Sequence, residues 1–180
     1  MEQDFQTEVR KYIRVIPDFP TKGVSFKDIT PLLRNGEMFK KSIDALKDAL
    51  SGLDFDVIVA PEARGFIVGS ALAYAMGKGF VPVRKKGKLP WRTIKGTYDL
   101  EYGTDVVEIH QDAIEPGQKV LVLDDLLATG GTIGATVDLV EDLGGNIIAI
   151  AFLIELTYIP GRDSLSKKGY NIISVVKLDE

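Results

Sequence analysis

Phe5, Val9, Tyr12, Ile13 and Ile16 recur at helical spacing, and Phe39, Ile43, Leu46 and Leu50 do so again, which predicts two amphipathic helices early in the chain. Between them "PDFPTKGVSFKDITP" (17–31) is punctuated by proline and glycine and cannot run as plain helix. Strands are expected in "DVIVA" (56–60), "FVPVR" (80–84), "DVVEI" (105–109), "KVLVLDD" (119–125), "NIIAIAFLI" (146–154) and "NIISVV" (171–176). Helices are expected in the small-residue run "GFIVGSALAYAMG" (65–77) and in "IGATVDLVEDLGG" (133–145), where Ile133, Val137, Val140 and Leu143 mark one face. The runs beginning at 56, 119 and 146 are continuously apolar rather than alternating, as in strands covered on both faces of a parallel sheet. The expected fold class is therefore α/β, an open, mainly parallel twisted sheet flanked by helices. No repeat, low-complexity tract or linker breaks residues 1–180, so a single domain is expected.

Composition narrows the function. With 180 residues, 45% of them hydrophobic, the chain has material for one core. It contains no cysteine, which excludes disulfides, thiolate metal sites and a cysteine nucleophile and fits a reducing cytoplasm. "MEQDFQTEVR" (1–10) has no apolar centre, and no apolar run reaches the roughly 18 residues of a membrane span, so a soluble, untargeted, cytoplasmic protein is expected. The net charge of −4 disfavours nucleic acid and anionic lipid as general partners. A polyanion must then be met locally, and "RKKGKLPWRTIK" (84–95) gathers Arg84, Lys85, Lys86, Lys88, Arg92 and Lys95 without one acid. The run is too short and too poor in aromatics to read as a nucleic-acid face; a solvated surface and a site for a compact anion are the two readings it leaves.

The densest chemistry lies in "VLVLDDLLATGGT" (120–132). In open α/β sheets ligands bind beyond the carboxyl ends of the strands, which is where Asp124 and Asp125 fall. Two adjacent carboxylates there suit sugar hydroxyls or a divalent cation. The Thr129-Gly130-Gly131-Thr132 turn offers unhindered N–H groups at a helix N-terminus, a phosphate site. The plainer reading, that Asp125 caps a turn and Thr132 a helix, leaves the second acid and the double glycine unexplained. The loop matches neither G-x-x-x-x-G-K-[ST] nor G-x-G-x-x-G. "PEARGF" (61–66) likewise follows a strand and opens a helix, so its N–H groups and Arg64 could hold a second anion; the alternative is a capping Glu62 and a solvated Arg64. Phe26 taken alone reads as core, His110 as structural and Trp91 as loop packing. "TYDLEYGTD" (97–105) fits either a lid or an edge hairpin.

Four apolar residues, two acids and T-G-G-T resemble the phosphoribosyl-pyrophosphate signature of type I phosphoribosyltransferases. "PDFPTKGVSFKDITPLL" (17–33) resembles the hood that the adenine-specific branch of that family places over the base, and "RKKGKLP", "YDLEYG" and "DDLLATGGT" follow in the family's order, so the resemblance covers essentially the whole chain. It implies a glycosyltransferase of purine salvage that converts adenine and phosphoribosyl pyrophosphate to AMP and pyrophosphate with Mg²⁺, as a homodimer. By resemblance Asp124 and Asp125 meet the ribose hydroxyls and, indirectly, the metal, while Ala128, Thr129, Gly130, Gly131 and Thr132 surround the 5-phosphate. Glu62, Ala63, Arg64 and Gly65, with a non-proline cis peptide near Glu62-Ala63, receive the pyrophosphate together with Arg84, Lys88 and Lys85, the last acting across a dimer. Ser25, Phe26, Lys27 and Leu126 hold adenine, and Glu101, Tyr102 and Arg64 serve catalysis, the first two on a flexible lid. Transfer to xanthine or another purine, and a non-enzymatic regulator that senses phosphoribosyl pyrophosphate, are the competing implications; the hood favours adenine, and no spare helix-turn-helix supports a regulator.

Overall fold

The computed structural model of the chain describes residues 2–100 and 103–179. The elements are α1 (Glu2–Arg10), β1 (Arg14–Ile16), β2 (Phe26–Asp28), α2 (Thr30–Arg34), α3 (Gly36–Leu50), β3 (Val57–Pro61), α4 (Arg64–Met76), β4 (Gly79–Lys85), β5 (Thr93–Leu100), β6 (Gly103–His110), β7 (Lys119–Leu127), α5 (Gly131–Asp142), β8 (Asn146–Leu156), α6 (Gly161–Ser166) and β9 (Ile172–Leu178).

A seven-stranded sheet runs β5-β6-β4-β3-β7-β8-β9. The five strands from β4 to β9 are mutually parallel, and the β5–β6 hairpin joins antiparallel to β4. The continuous apolar runs are explained by burial on both faces. Ile58, Leu121, Leu123, Ala149, Ala151 and Leu153 point into a core shared with α3 and α4, while Val57, Val59, Val120, Val122, Ile150 and Phe152 point into the one beneath α5. The small residues of α4 bring it close to the sheet: a Cβ on Gly69 would lie 2.9 Å from the Phe80 ring and 3.1 Å from Ala60. Asn35 starts α3 by accepting from the Met38 N–H at 3.0 Å, and Met38, Ile43, Leu46 and Leu50 are its buried stripe.

Three expectations change. The first helix stops at Arg10 instead of continuing to Ile16. Its end tightens into i→i−3 bonds at Lys11, Tyr12 and Ile13, after which Arg14–Ile16 pairs antiparallel with Phe26–Asp28, so backbone pairing with the hood takes over from helical periodicity. The polar stretch after position 85 contains a full strand, β5, whose residues 97–100 pair with 103–106 of β6, in keeping with the edge-hairpin reading of that stretch. The chain also adds two short helices, α2 and α6, that carry no readable period. Because Lys85 pairs with Val107, residues 103–106 of the hairpin run past the carboxyl end of β4.

Candidate active site

β3 and β7 are parallel neighbours at the centre of the sheet, and the chain leaves them for opposite flanks, β3 through α4 to β4 and β7 through α5 to β8. The carboxyl ends of β3 and β7 therefore flank the crevice where such sheets bind ligands. The 61–64 and 128–131 loops emerge there side by side.

From β7, Asp125 is buried and Asp124 half-buried, and both line a cavity of about 220 Å³ with the glycine loop. Gly65 on α4 admits Asp124: a Cβ at that position would sit 2.8 Å from its Oδ1. Burial, then the charge of Asp125, pushes the Asp124 carboxyl well above the ordinary carboxylate range, and burial also raises Asp125 against the pull of Arg64. Arg64 Nε approaches Asp125 Oδ2 at 3.0 Å, yet no donor hydrogen among the described residues is aligned on that buried oxygen. Asp125 therefore does not cap a turn through this oxygen.

The glycine loop ends in Gly130, whose φ of 81° only glycine adopts easily, and α5 starts at Gly131 with no side-chain cap. Thr132 thus leaves the helix N-terminus open, and its first-turn N–H groups are available to an anion. The Glu62–Ala63 peptide is cis, at the position the resemblance implied.

The basic segment is held by carboxylates. Glu62 accepts from Arg84 Nε at 2.8 Å and from the Lys85 N–H at 3.0 Å; burial opposes its ionisation, but these bonds outweigh that and keep the carboxyl below its ordinary value. Arg84 also donates to the Lys88 carbonyl at 3.1 Å. Lys85 Nζ lies 3.2 Å from Asp105 of its own chain, which also accepts from the Tyr98 hydroxyl at 3.1 Å, and the bond to Asp105 raises the lysine. Glu108, buried on β6, takes the Gly87 N–H at 2.9 Å. Sequence reasoning missed Asp105, Tyr98 and Glu108. The one signal for Glu108 was a charge inside the apolar run "DVVEI".

A second cavity of about 480 Å³ shares Arg64, Leu126, Ala128 and Thr129 with the first, so the two form one site. Its further walls include Ser25, Phe26 and Lys27, the residues assigned to the base by resemblance, and Leu156, Tyr158 and Ile159, which were not foreseen. Phe26 stands edge-on to Phe19 at 5.2 Å, and the Arg64 guanidinium lies 5.2 Å from the Phe26 ring centre while donating to the Lys27 carbonyl at 3.3 Å. Arg64 thus ties the hood to the acid pair. His110 takes no part: it pairs with Thr93 on the hairpin, away from the carboxyl edge, beside Trp91. Glu101 and Tyr102 lie outside the described residues.

A crevice with an uncapped helix N-terminus, a carboxylate pair and an adjoining largely apolar cavity, at the carboxyl ends of a parallel sheet, defines an α/β protein with a ligand-binding crevice. Residues 28–177 match the family described as "Phosphoribosyl transferase domain". An adenine phosphoribosyltransferase of Thermotoga maritima is 55% identical over 172 residues, 96% of this chain and 98% of that one. The crystal structure of the adenine phosphoribosyltransferase of Thermoanaerobacter pseudethanolicus superposes with a TM-score of 0.93 at 57% identity, covering 96% of this chain and 99% of the other. That of Saccharomyces cerevisiae, complexed with an imino-altritol bisphosphate and adenine, gives 0.88 at 40% identity over 97% and 99%. The chain belongs to the phosphoribosyltransferase family.

Proposed function

We propose that this chain is a cytoplasmic, Mg²⁺-dependent adenine phosphoribosyltransferase that moves the 5-phosphoribosyl group of phosphoribosyl pyrophosphate onto N9 of adenine, giving AMP and pyrophosphate. The observation that carries the reading is the Asp124–Asp125 pair lining the same cavity as the Ala128–Thr132 loop, next to the apolar cavity with which it shares Arg64, Leu126, Ala128 and Thr129. A sugar bridging those cavities puts its hydroxyls on the acids, its phosphate on Ala128 to Thr132 and its C1 toward a base against Phe26. The leaving pyrophosphate is assigned to Glu62–Gly65, Arg84, Lys85 and Lys88. The relatives named for adenine, one of them solved with adenine, favour this base over xanthine and an enzyme over a regulator.

Among the described residues no cluster of three or more His, Cys, Asp or Glu encloses a cation. The acid pair alone suits Mg²⁺ carried on substrate oxygens and held through water by Asp124 and Asp125, the usual manner for this ion. Bound there, the ion would neutralise charge on the departing pyrophosphate. The protein's own part is positional and electrostatic: it orients ribose against base and stabilises positive charge developing at C1 with the acid pair.

Measuring pyrophosphate release with adenine, hypoxanthine, guanine and xanthine in parallel tests the reading, with adenine expected to dominate. Turnover of xanthine or guanine in its place, or of no purine at all, would overturn it. The 97–105 segment is proposed as the lid, with Glu101 exchanging a proton at the base. Glu101→Gln is expected to lower the single-turnover rate by about 10² with phosphoribosyl-pyrophosphate affinity retained; an unchanged chemical step would remove Glu101 from that role. A homodimer is part of the proposal, with Lys85 exchanging Asp105 for the partner's pyrophosphate. Light scattering at micromolar concentration is expected to give twice the chain mass, and a fully active monomer would refute it.

A further inference from the structure

The chain leaving β8 passes beneath the glycine cradle, and its geometry is over-determined. Arg162 Nε and Nη2 donate to the two carboxylate oxygens of Glu155, each at 2.6 Å, in the fork-to-fork arrangement that arginine alone provides. Nη1 donates to the Ile172 carbonyl at 3.2 Å and Nη2 also to Ser174 Oγ at 3.1 Å, so one side chain fastens the first turn of α6 to both β8 and β9. Glu155 is only 3% exposed, which makes the pair far less screened than a surface bridge. Between the anchored arginine and the cradle stands Gly161. A Cβ there would lie 1.9 Å from the Ala128 carbonyl oxygen, 2.9 Å from the Ala128 carbonyl carbon and 3.0 Å from that of Thr129. In return, a Cβ on Gly130 would meet the Gly161 carbonyl at 3.4 Å. Backbone rests directly on backbone, with no flexible side chain between them to absorb a change.

We propose that Gly161, Arg162 and Glu155 are positioning residues for the sugar-phosphate cradle: the Glu155–Arg162 fork fixes the height of α6, and the bare backbone of Gly161 sets the path of Ala128, Thr129 and Gly130. The proposal rests on the reading of Ala128–Thr132 as the 5-phosphate cradle. A phosphate held by a row of N–H groups depends on their aim, since such bonds weaken steeply off line, and a shift of an ångström in a binding loop is enough to cost one to two orders of magnitude. None of the three residues belongs to the Glu62–Gly65 loop or to the basic segment on the other side of the site.

The test compares two probes on the full chain in the presence of Mg²⁺, ribose 5-phosphate for the cradle and pyrophosphate for the 62–65 loop, by titration calorimetry. Gly161→Ala is expected to raise the dissociation constant of ribose 5-phosphate about tenfold or more while that of pyrophosphate stays within about twofold. Arg162→Lys, which keeps the charge and loses the fork, is expected to shift the same ratio less far. Should Gly161→Ala fail to fold, Arg162→Lys carries the test. A general loss of structure weakens both probes together, so an unchanged ratio overturns the positioning role. Wild-type protein that does not bind ribose 5-phosphate overturns the cradle reading instead.

Discussion

Hypoxanthine is expected to be used with a kcat/KM about 10⁴-fold below that of adenine, although the two bases differ at a single exocyclic atom and the neighbouring ring proton. The hood is a two-stranded ribbon, β1 paired with β2. Each strand of such a ribbon leaves one edge of its backbone unpaired. Along β2 the Lys27 carbonyl is already engaged by Arg64. The remaining backbone groups near Ser25 to Lys27 can offer an acceptor to the adenine amine and a donor to N1 without any polar side chain. Hypoxanthine presents an acceptor where adenine donates and a donor where adenine accepts. Two buried groups are then opposed by like groups, and at roughly 2–3 kcal/mol for each unmet partner the difference reaches about 10⁴. Competing the two bases in one steady-state assay measures the ratio. Comparable use of both would mean that Phe26 and its neighbours read ring shape only.

The sheet's centre was legible in the chain because burial on both faces writes itself as unbroken apolar runs, and β3, β7 and β8 lie where those runs are. The placing of the candidate cradle was legible because the strand end, double glycine and paired acids fall within the thirteen residues of "VLVLDDLLATGGT", and the structure brings them to one cavity. The edge was not. β5 reads as polar because an edge strand is only partly covered. What covers it is α5, far along the chain: a Cβ on Gly96 would lie 3.1 Å from Leu139 and 3.2 Å from the Ala135 carbonyl. The helix α6 has six residues, too few to show a period. Glu108 and Glu155 could not be told from solvated acids, since what separates them is a partner, the Gly87 N–H for one and the Arg162 fork for the other, which only the tertiary fold supplies. The candidate residues at the strand ends were thus nameable one by one, and the side chains that hold their loops in place were not.

Asp124→Asn is expected to leave a more stable protein and an enzyme about 10³-fold poorer, opposite signs that separate a binding carboxylate from a structural one. Asp124 sits beside Asp125, and Arg64 is the cation that faces the pair, at Asp125. Burial first and the neighbouring charge second hold the Asp124 pKa well above the ordinary value. The folded state therefore keeps this proton more tightly than the unfolded chain does. The associated stability is complete below the unfolded pKa, about 3.9, and is lost as pH rises from there through the folded value, so this group makes the free protein less stable at pH 8 than at pH 5. Asparagine has nearly the same shape under Gly65 and nothing to ionise, so thermal unfolding of the variant should change less between pH 5 and pH 8 and lie higher at pH 8. Catalysis moves the other way. The amide loses a charge-assisted acceptor for a ribose hydroxyl and the charge that steadies a water-held Mg²⁺, each worth about 2 kcal/mol, which together give about 10³ in kcat/KM for phosphoribosyl pyrophosphate. Stability and activity falling together in Asp124→Asn would make the carboxylate part of the scaffold, and the ribose contacts would then have to come from Asp125 alone.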